Sequence, residues 1–383
     1  MDVIHGLTTA VDVLCGADPS TLADGESLVA IHRQLDRLQA VVTRAAAAYD
    51  AGGSWAADGA RSSAAWVTAR CGLPLVSARR RVRHGRDLRQ MPVAEKAWLA
   101  GDIGEAQVSQ MAEARTERTA ECFARDEEML VDQARQLPHR HFLRALQYWS
   151  QHADPDGAED TAAAQHQARR VHLSCGFDGA WFLDGVLDPI SGEIVSRALK
   201  AIEEELFAAD WAEAKARVGD GVCGADLVRT PAQRRADALA EMARKAMAVP
   251  AGARLPEPLF TMLVGYETFA GRVCELAGGR IVAPGSLVPW LDQAWVERVV
   301  FDGPDRVMNV GVRRRIFDGA TRRSVEVRDR ECFHPLCDAT VEDCQVDHVE
   351  PWAFGGLTIA TNGRLACAFH NRLRHQPRPP PDP

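Results

Sequence analysis

Four cysteines, Cys332, Cys337, Cys344 and Cys367, fall within 36 residues, while the other six are scattered singly as buried thiols usually are. In a reducing compartment such clustering points to metal before disulfides. The run CFHPLC places Cys332 and Cys337 as one pair of soft ligands, and CAFH places Cys367 and His370 as another. Residues three apart share a face of a helix, so Cys367 and His370 are expected to converge on one ion. Two such pairs make the Cys3His tetrahedron that a structural Zn²⁺ prefers. About 30 residues lie between the pairs, too few for a self-sufficient core, and zinc would provide the missing stability. Cys344 and His334 are the fallback ligands.

Inside that staple stand polar residues that zinc does not need: Asp347 and His348 at the end of a β-like segment, Asn362 expected to open the last helix, and Asn371 after the zinc histidine. Phosphodiester hydrolysis needs a base to deprotonate water and a cation to neutralise charge on the phosphate and the leaving oxygen. A neutral imidazole suits the first task near pH 7. A hard ion such as Mg²⁺ or Mn²⁺, held by oxygens, suits the second, with the Asp347 carboxylate and the Asn371 amide as donors. Neighbours on an ideal strand point opposite ways, so the segment is expected to bend at Asp347-His348 if both are to face one substrate.

The residues Asp347-His348, the turn Trp352 to Gly356, Asn362 and the run Cys367-x-x-His370-Asn371 resemble an HNH endonuclease motif on a ββα-metal (His-Me finger) scaffold. The resemblance implies His348 as general base, Asp347 as metal ligand, and Asn362 as the residue that pins the loop between the strands and helps orient His348. Asn371 stands where the family usually has His, a departure that implies a weaker or different metal preference. Nearly the whole chain resembles an actinobacterial family of HNH signature-motif proteins, which includes the mycobacterial 13E12-repeat proteins. The residues that carry this are GARSSAAWVTARCGL, DLRQMP, Leu187-Asp188-Pro189 with Gly192, and VRDRECFHPLC. That family implies a large helical N-terminal domain of unassigned function and a mobile-element origin.

The elements that must position these residues are mainly helical with a minor β portion. Leu28, Ile31, Leu35, Leu38, Val42 and Tyr49 recur at helical steps and predict a helix over 25–51, stopped by Gly52-Gly53. A second helix is predicted after Ser62-Ser63 to near Gly72, and a third from Pro74 to about Gln90. More helices fill 93–152, with breaks near Gly101, Gly104 and Pro138. Residues 153–165 are small and acidic and read as mobile. Strands are expected at Val171–Cys175 and Trp181–Leu187 around an Asp178-Gly179 turn, and at 259–264, 299–301 and 307–312. Helices are expected from Gly192 to Leu206 and over 231–248, with a loop insertion at 210–230. The domains read as 1–152 helical, 153–312 an α+β continuation, 313–376 the small C-terminal ββα-metal module, and 377–383 a Pro-rich tail.

Charge sets the partners. The net charge of -8 argues against a protein that coats nucleic acid with its whole surface. Between Arg306 and Gln376, however, 11 Arg face 9 Asp and Glu, leaving -10 on residues 1–305. Arg322, Arg323, Arg328 and Arg330, with Arg313, Arg314 and Arg315, are the expected phosphate contacts to DNA. A second arginine cluster, Arg79, Arg80, Arg81, Arg83, Arg86 and Arg89, follows a helix and a Gly72 turn. It reads as a helix-turn-helix or as the solvated face of a bundle. Thr68 and Arg81 stand where the first would have a small and an apolar residue. No membrane span and no signal peptide are visible, which points to the cytoplasm. The leading expectation is a metal-dependent DNA endonuclease. Its rivals are a non-catalytic, zinc-stabilised DNA-binding protein and a toxin-like nuclease.

Overall fold

The structure, a computed structural model, describes residues 3–249, 259–264, 274–276, 279–290, 295–300, 317 and 319–375. It divides into two compact units, Met1–Asp154 and Pro155–Pro383.

The first unit is all helix: α1 Val3–Cys15, α2 Gly25–Gly52, α3 Ser63–Cys71, α4 Leu75–Asp87, α5 Pro92–Ala100, α6 Glu105–Ala114, α7 Ala120–Gln136 and α8 His139–Ala153. Helix α2 starts where Asp24 accepts the Ser27 N–H at 2.8 Å, and it ends at Gly53 in the left-handed region. Pro74 is the cap of α4 rather than its first residue. The core gathers Leu88, Met91, Trp98, Met111, Phe123, Leu130, Phe142 and Trp149. One buried carboxylate organises it: Glu127 on α7 accepts the N–H groups of Val93 and Ala94 at 3.0 and 2.9 Å, capping α5 from a neighbouring helix. Helices α2 and α4 approach closely at Gly85, where a Cβ would meet the Thr43 carbonyl at 2.5 Å.

His84, 2% exposed on α4, sits 3.4 Å from the Ser109 hydroxyl. Burial first, then Arg83 and Arg80, lowers its pKa to about 4. Its folded value lies below its unfolded one, so its contribution is fully present above about pH 6.5 and is lost as pH falls toward 4. The loss amounts to roughly 3 kcal/mol at most. Thermal unfolding of the full chain between these pH values is expected to fall more steeply than for His84→Gln. Parallel pH profiles for the two proteins would contradict this.

The second unit mixes helix and sheet. It begins with α9, Pro155–Gln167. The expectation of a mobile stretch at 153–165 is therefore corrected: Pro155 opens the helix, Asp156 suits its first turn, and Ala162 to Ala164 favour its continuation. Strands β1 Arg170–Cys175 and β2 Trp181–Val186 form the expected hairpin, with Gly179 at φ 82° in its turn. Helix α10 runs Pro189–Val218. It starts three residues before Gly192 because Asp188 caps it, accepting the N–H groups of Ile190 at 3.1 Å and Ser191 at 2.9 Å. It also takes in the start of the expected loop at 210–230, as far as Val218. Asp210, read as polar loop, is buried against Arg229 and Arg234 at 2.5 and 3.4 Å, and Arg234 lies on α11, Pro231–Ala248.

A four-stranded sheet follows, in the order β5-β4-β3-β6. Its strands are β3 Leu259–Val264, β4 Cys274–Leu276, β5 Ile281–Val282 and β6 Trp295–Val300, and β3 and β6 are parallel. Strands β4 and β5 were not expected, and β6 begins earlier than the expected 299–301. The expected strand at 307–312 and the tail at 377–383 lie outside the described residues. The chain then forms α12 Gly319–Asp329, β7 Cys344–His348, β8 Gly363–Cys367 and α13 Ala368–His375. No helix among the described residues is long and apolar enough to cross a membrane.

Candidate metal centre

Strands β7 and β8 pair antiparallel, with Cys344 opposite Cys367 and His348 opposite Gly363. Helix α12 packs behind them and buries Val325 with Phe317, Leu365, Cys332 and Cys344 in a small core. A carboxylate and an arginine at the end of α12 fix it to the backbone of β8 and of the turn before it. Asp329 accepts the Leu365 N–H at 3.0 Å, and Arg328 donates to the carbonyls of Ala360 and Gly363 at 2.7 and 2.6 Å. The chain leaves α12 through Arg330, whose φ of 62° is the only positive value outside glycine among the described residues. Its guanidinium meets buried Glu275 at 2.6 Å. Arg328 and Arg330 are thus engaged inside the fold. Arg322 pairs with Glu326 at 2.7 Å on the same helix as Arg323. Arg313, Arg314 and Arg315 lie outside the described residues.

Cys332, Cys337, Cys367 and His370 converge, with their ligand atoms all within 4.8 Å of one another. The His370 Nδ1 is 3.3 Å from both the Cys332 and Cys367 sulfurs, and the Cys337 and Cys367 sulfurs are 3.8 Å apart. A tetrahedron with Zn–S about 2.3 Å and Zn–N about 2.05 Å has S–S edges of roughly 3.8 Å and S–N edges of roughly 3.5 Å. The three closest edges match this, and the cluster could bind a metal such as zinc.

Convergence does not come from a shared helix face, as the three-residue spacing suggested. Cys367 ends β8, and only His370 lies on α13; the Cys367 sulfur accepts the His370 N–H at 3.5 Å, as a helix cap would. Burial opposes ionisation of Cys367, yet the N–H groups of His370 and Phe369 and the neighbouring thiols hold it below its ordinary value. Burial, reinforced by His334, lowers His370, which favours the neutral ligand form. The fallback ligands stand aside. Burial, then the three neighbouring thiols, pushes Cys344 up to about 12, and its sulfur faces the Ala339 carbonyl at 3.8 Å. His334 stacks on His370 with ring centres 4.1 Å apart.

The second polar set surrounds the β7–β8 loop. Asn362 precedes β8 rather than opening the last helix. Its Oδ1 accepts the Glu350 N–H at 2.8 Å, and its Nδ2 donates to the carbonyls of Leu357 at 2.8 Å and Glu350 at 3.2 Å. The turn needs both glycines: Gly355 has φ 96°, and a Cβ on Gly356 would fall onto the Glu350 carbonyl. His348 packs on Phe317 at 4.6 Å, and its Nε2 lies 2.9 Å from the hydroxyl of buried Thr358. Thr358 was not singled out in the sequence, where a threonine ten residues away carries no spacing signal. Asp347 lies 3.8 Å from Arg364, whose guanidinium covers the Phe333 ring. The bend expected at Asp347-His348 is absent: the ladder runs unbroken through both residues, which keeps them on opposite faces. Asn371 follows His370 on α13, and its buried Oδ1 has no hydrogen-bond partner among the described residues.

The chain is similar to uncharacterized proteins of mycobacteria. It is 28% identical over 255 residues to protein MT1995 of Mycobacterium tuberculosis (strain CDC 1551 / Oshkosh) and to protein Mb1179c of Mycobacterium bovis. It is 26% identical over 258 residues to protein MT1183 of Mycobacterium tuberculosis. Each alignment covers 63% of this chain and 54% of the relative, so the chain spans about half the length of the curated relatives it matches. No solved structure matches the chain. The family description that matches, "Domain of unknown function (DUF222)", covers residues 26–329 and stops just before Cys332. By that match, which takes in every element from α2 to α12, the chain belongs to the DUF222 family.

Proposed function

We propose that residues 317–375 form an HNH-type module that hydrolyses DNA phosphodiester bonds with a divalent metal, stabilised by a zinc ion on Cys332, Cys337, Cys367 and His370. The observation that carries this reading is the buried Asn371 oxygen directly after His370, which has no hydrogen-bond partner among the described residues, in a module whose His348 is held at its Nε2 by Thr358. A buried acceptor without a donor is costly, and a hard cation would satisfy it. Asp347 would supply the carboxylate for the same ion once β7 bends at Asp347-His348, and both donors are oxygens, which suits Mg²⁺ or Mn²⁺. When bound, that ion would neutralise charge on the phosphate and the leaving oxygen. His348 accepts the proton of the attacking water, its imidazole positioned by the Thr358 hydroxyl. Asn362 keeps the loop that carries Thr358 closed over β7, and so positions the imidazole. Arg322 and Arg323 are the phosphate contacts in this reading.

A non-catalytic DNA-binding module is the second reading, favoured by the regular ladder that keeps Asp347 and His348 on opposite faces. Incubation of the full chain with supercoiled plasmid, with Mg²⁺, with Mn²⁺ and with neither, separates the two. Metal-dependent nicking or linearisation supports the nuclease. Retention of the DNA without any cleavage supports the alternative. Omission of added metal is the better control, because a chelator would also attack the zinc site.

A further inference from the structure

The arginine cluster of α4 is not used by the site described above. Helix α3 ends at Cys71, Gly72 turns the chain at φ 67°, and α4 begins at Leu75 after Leu73 and Pro74. Ala64 and Val67 of α3 bury against Ala78 and Val82 of α4, with Leu73 packed beside them. The sequence pattern placed Arg81 at the apolar position of a helix-turn-helix. The structure instead buries Val82 and leaves Arg81 half-buried, so the packing does not need residue 81 to be apolar. The close approach at Gly85 seats α4 on α2 and turns its other side outward.

That outer side carries Val76, Arg79, Arg80, Arg83 and Arg86, all exposed. Arg86 is held by Asp50 at 2.7 Å, and Arg80 is 4.0 Å from Glu105. Arg79 and Arg83 make no hydrogen bond or ion pair among the described residues, although residues 1–305 carry a net charge of -10. Other exposed arginines of the first unit go both ways: Arg125 pairs with Asp126 and Arg135 with Asp132, while Arg61 and Arg70 make no such contact among the described residues. Val76, 78% exposed in the first turn, hydrates poorly, but an apolar side chain at the start of a second helix can lie against base edges.

We propose that α4 docks on duplex DNA as the second helix of a helix-turn-helix, with Arg79 and Arg83 gripping backbone phosphates. The guanidinium fork suits phosphate oxygens, and one helical turn sets the two arginines side by side. The proposal rests on DNA as the substrate of the C-terminal module, and gives the first unit the task of holding it. Two DNA contacts on one chain make the second intramolecular, which raises occupancy at the cutting site without tightening that site itself.

The test is binding of a short fluorescent duplex by the full chain across a salt series, without added divalent metal. Arg79→Ala with Arg83→Ala is expected to weaken binding tenfold or more, and to lower the slope of log affinity against log salt by about 1.8, two contacts at about 0.9 each. Arg79→Lys with Arg83→Lys keeps most of the slope. Arg217→Ala with Arg244→Ala, an equal change in net charge, leaves binding unchanged. Both target side chains are exposed, so an unchanged melting temperature verifies the fold of the variants.

A wild-type slope in the alanine pair, an equal loss in the Arg217 and Arg244 control, or preference of the wild type for single-stranded RNA overturns the proposal. Plasmid cleavage by the same samples keeps the two readings apart. A wild type that cuts but binds independently of Arg79 and Arg83 overturns only this inference. One that binds through them but never cuts overturns only the nuclease.

Discussion

Replacing Cys337 with serine is expected to release the metal from the C-terminal module and to unfold the segment from Cys332 to His375, leaving the first unit intact. The core beneath this segment contains seven buried residues, three of them cysteines, and its helix α13 spans only eight residues. That is too little to fold alone. A structural zinc contributes roughly 10–16 kcal/mol of apparent binding energy, which would be the larger share of what orders the segment. Serine leaves a hydroxyl that binds zinc poorly, and three remaining ligands hold the ion weakly. Elemental analysis with limited proteolysis reads both effects. Cys344→Ser serves as the comparison, because that sulfur faces a carbonyl rather than the cluster, and it is expected to keep its metal. Zinc-free wild type with a protease-resistant C-terminal segment would sink the assignment.

His348→Ala is expected to lower plasmid cleavage by roughly 10²-fold or more, while zinc content and duplex affinity stay near wild type. The imidazole touches Phe317 and Thr358 but not the cysteine cluster, so its loss spares the staple. Cleavage by His348→Ala at the wild-type rate would remove the base from the proposed reaction and favour the non-catalytic reading. Asn371→Ala is expected to act differently, raising the metal concentration needed for half-maximal cleavage. Asn371→His is expected to widen metal use toward Ni²⁺ or Co²⁺, which imidazole suits better than an amide does. Titration of cleavage against each metal distinguishes the two residues. A metal dependence unchanged in Asn371→Ala would take that oxygen out of the site.

What could be read in the sequence followed from local chemistry. Helix α11 was expected at its observed bounds, where Thr230 and Gln233 form a capping box, and Asp178-Gly179 announced the turn of its hairpin. The four cluster residues were legible from ligand type and spacing alone. Long-range pairing was not. Asp210 looks like loop until Arg229 and Arg234 are folded against it, so α10 was cut short. Residues 153–165 were read by their acidity when their alanines and Pro155 decided the outcome. Thr358 and Asp329 act across the loop and the sheet, and nothing in their neighbours marks them. The bend expected at Asp347-His348 was inferred from a presumed role rather than from the residues, and the ladder does not contain it.

Cys367 ends a strand and accepts the His370 amide in the first turn of the helix that follows, and the same sulfur atom would ligate the metal. Three boundaries that proteins usually secure separately are here a single event. Amide hydrogen exchange should register this as one cooperative unit: the β7–β8 ladder and the first turn of α13 are expected to open together, with one opening free energy set by free zinc concentration. The module would then have no half-folded state in which the hairpin survives and the helix frays.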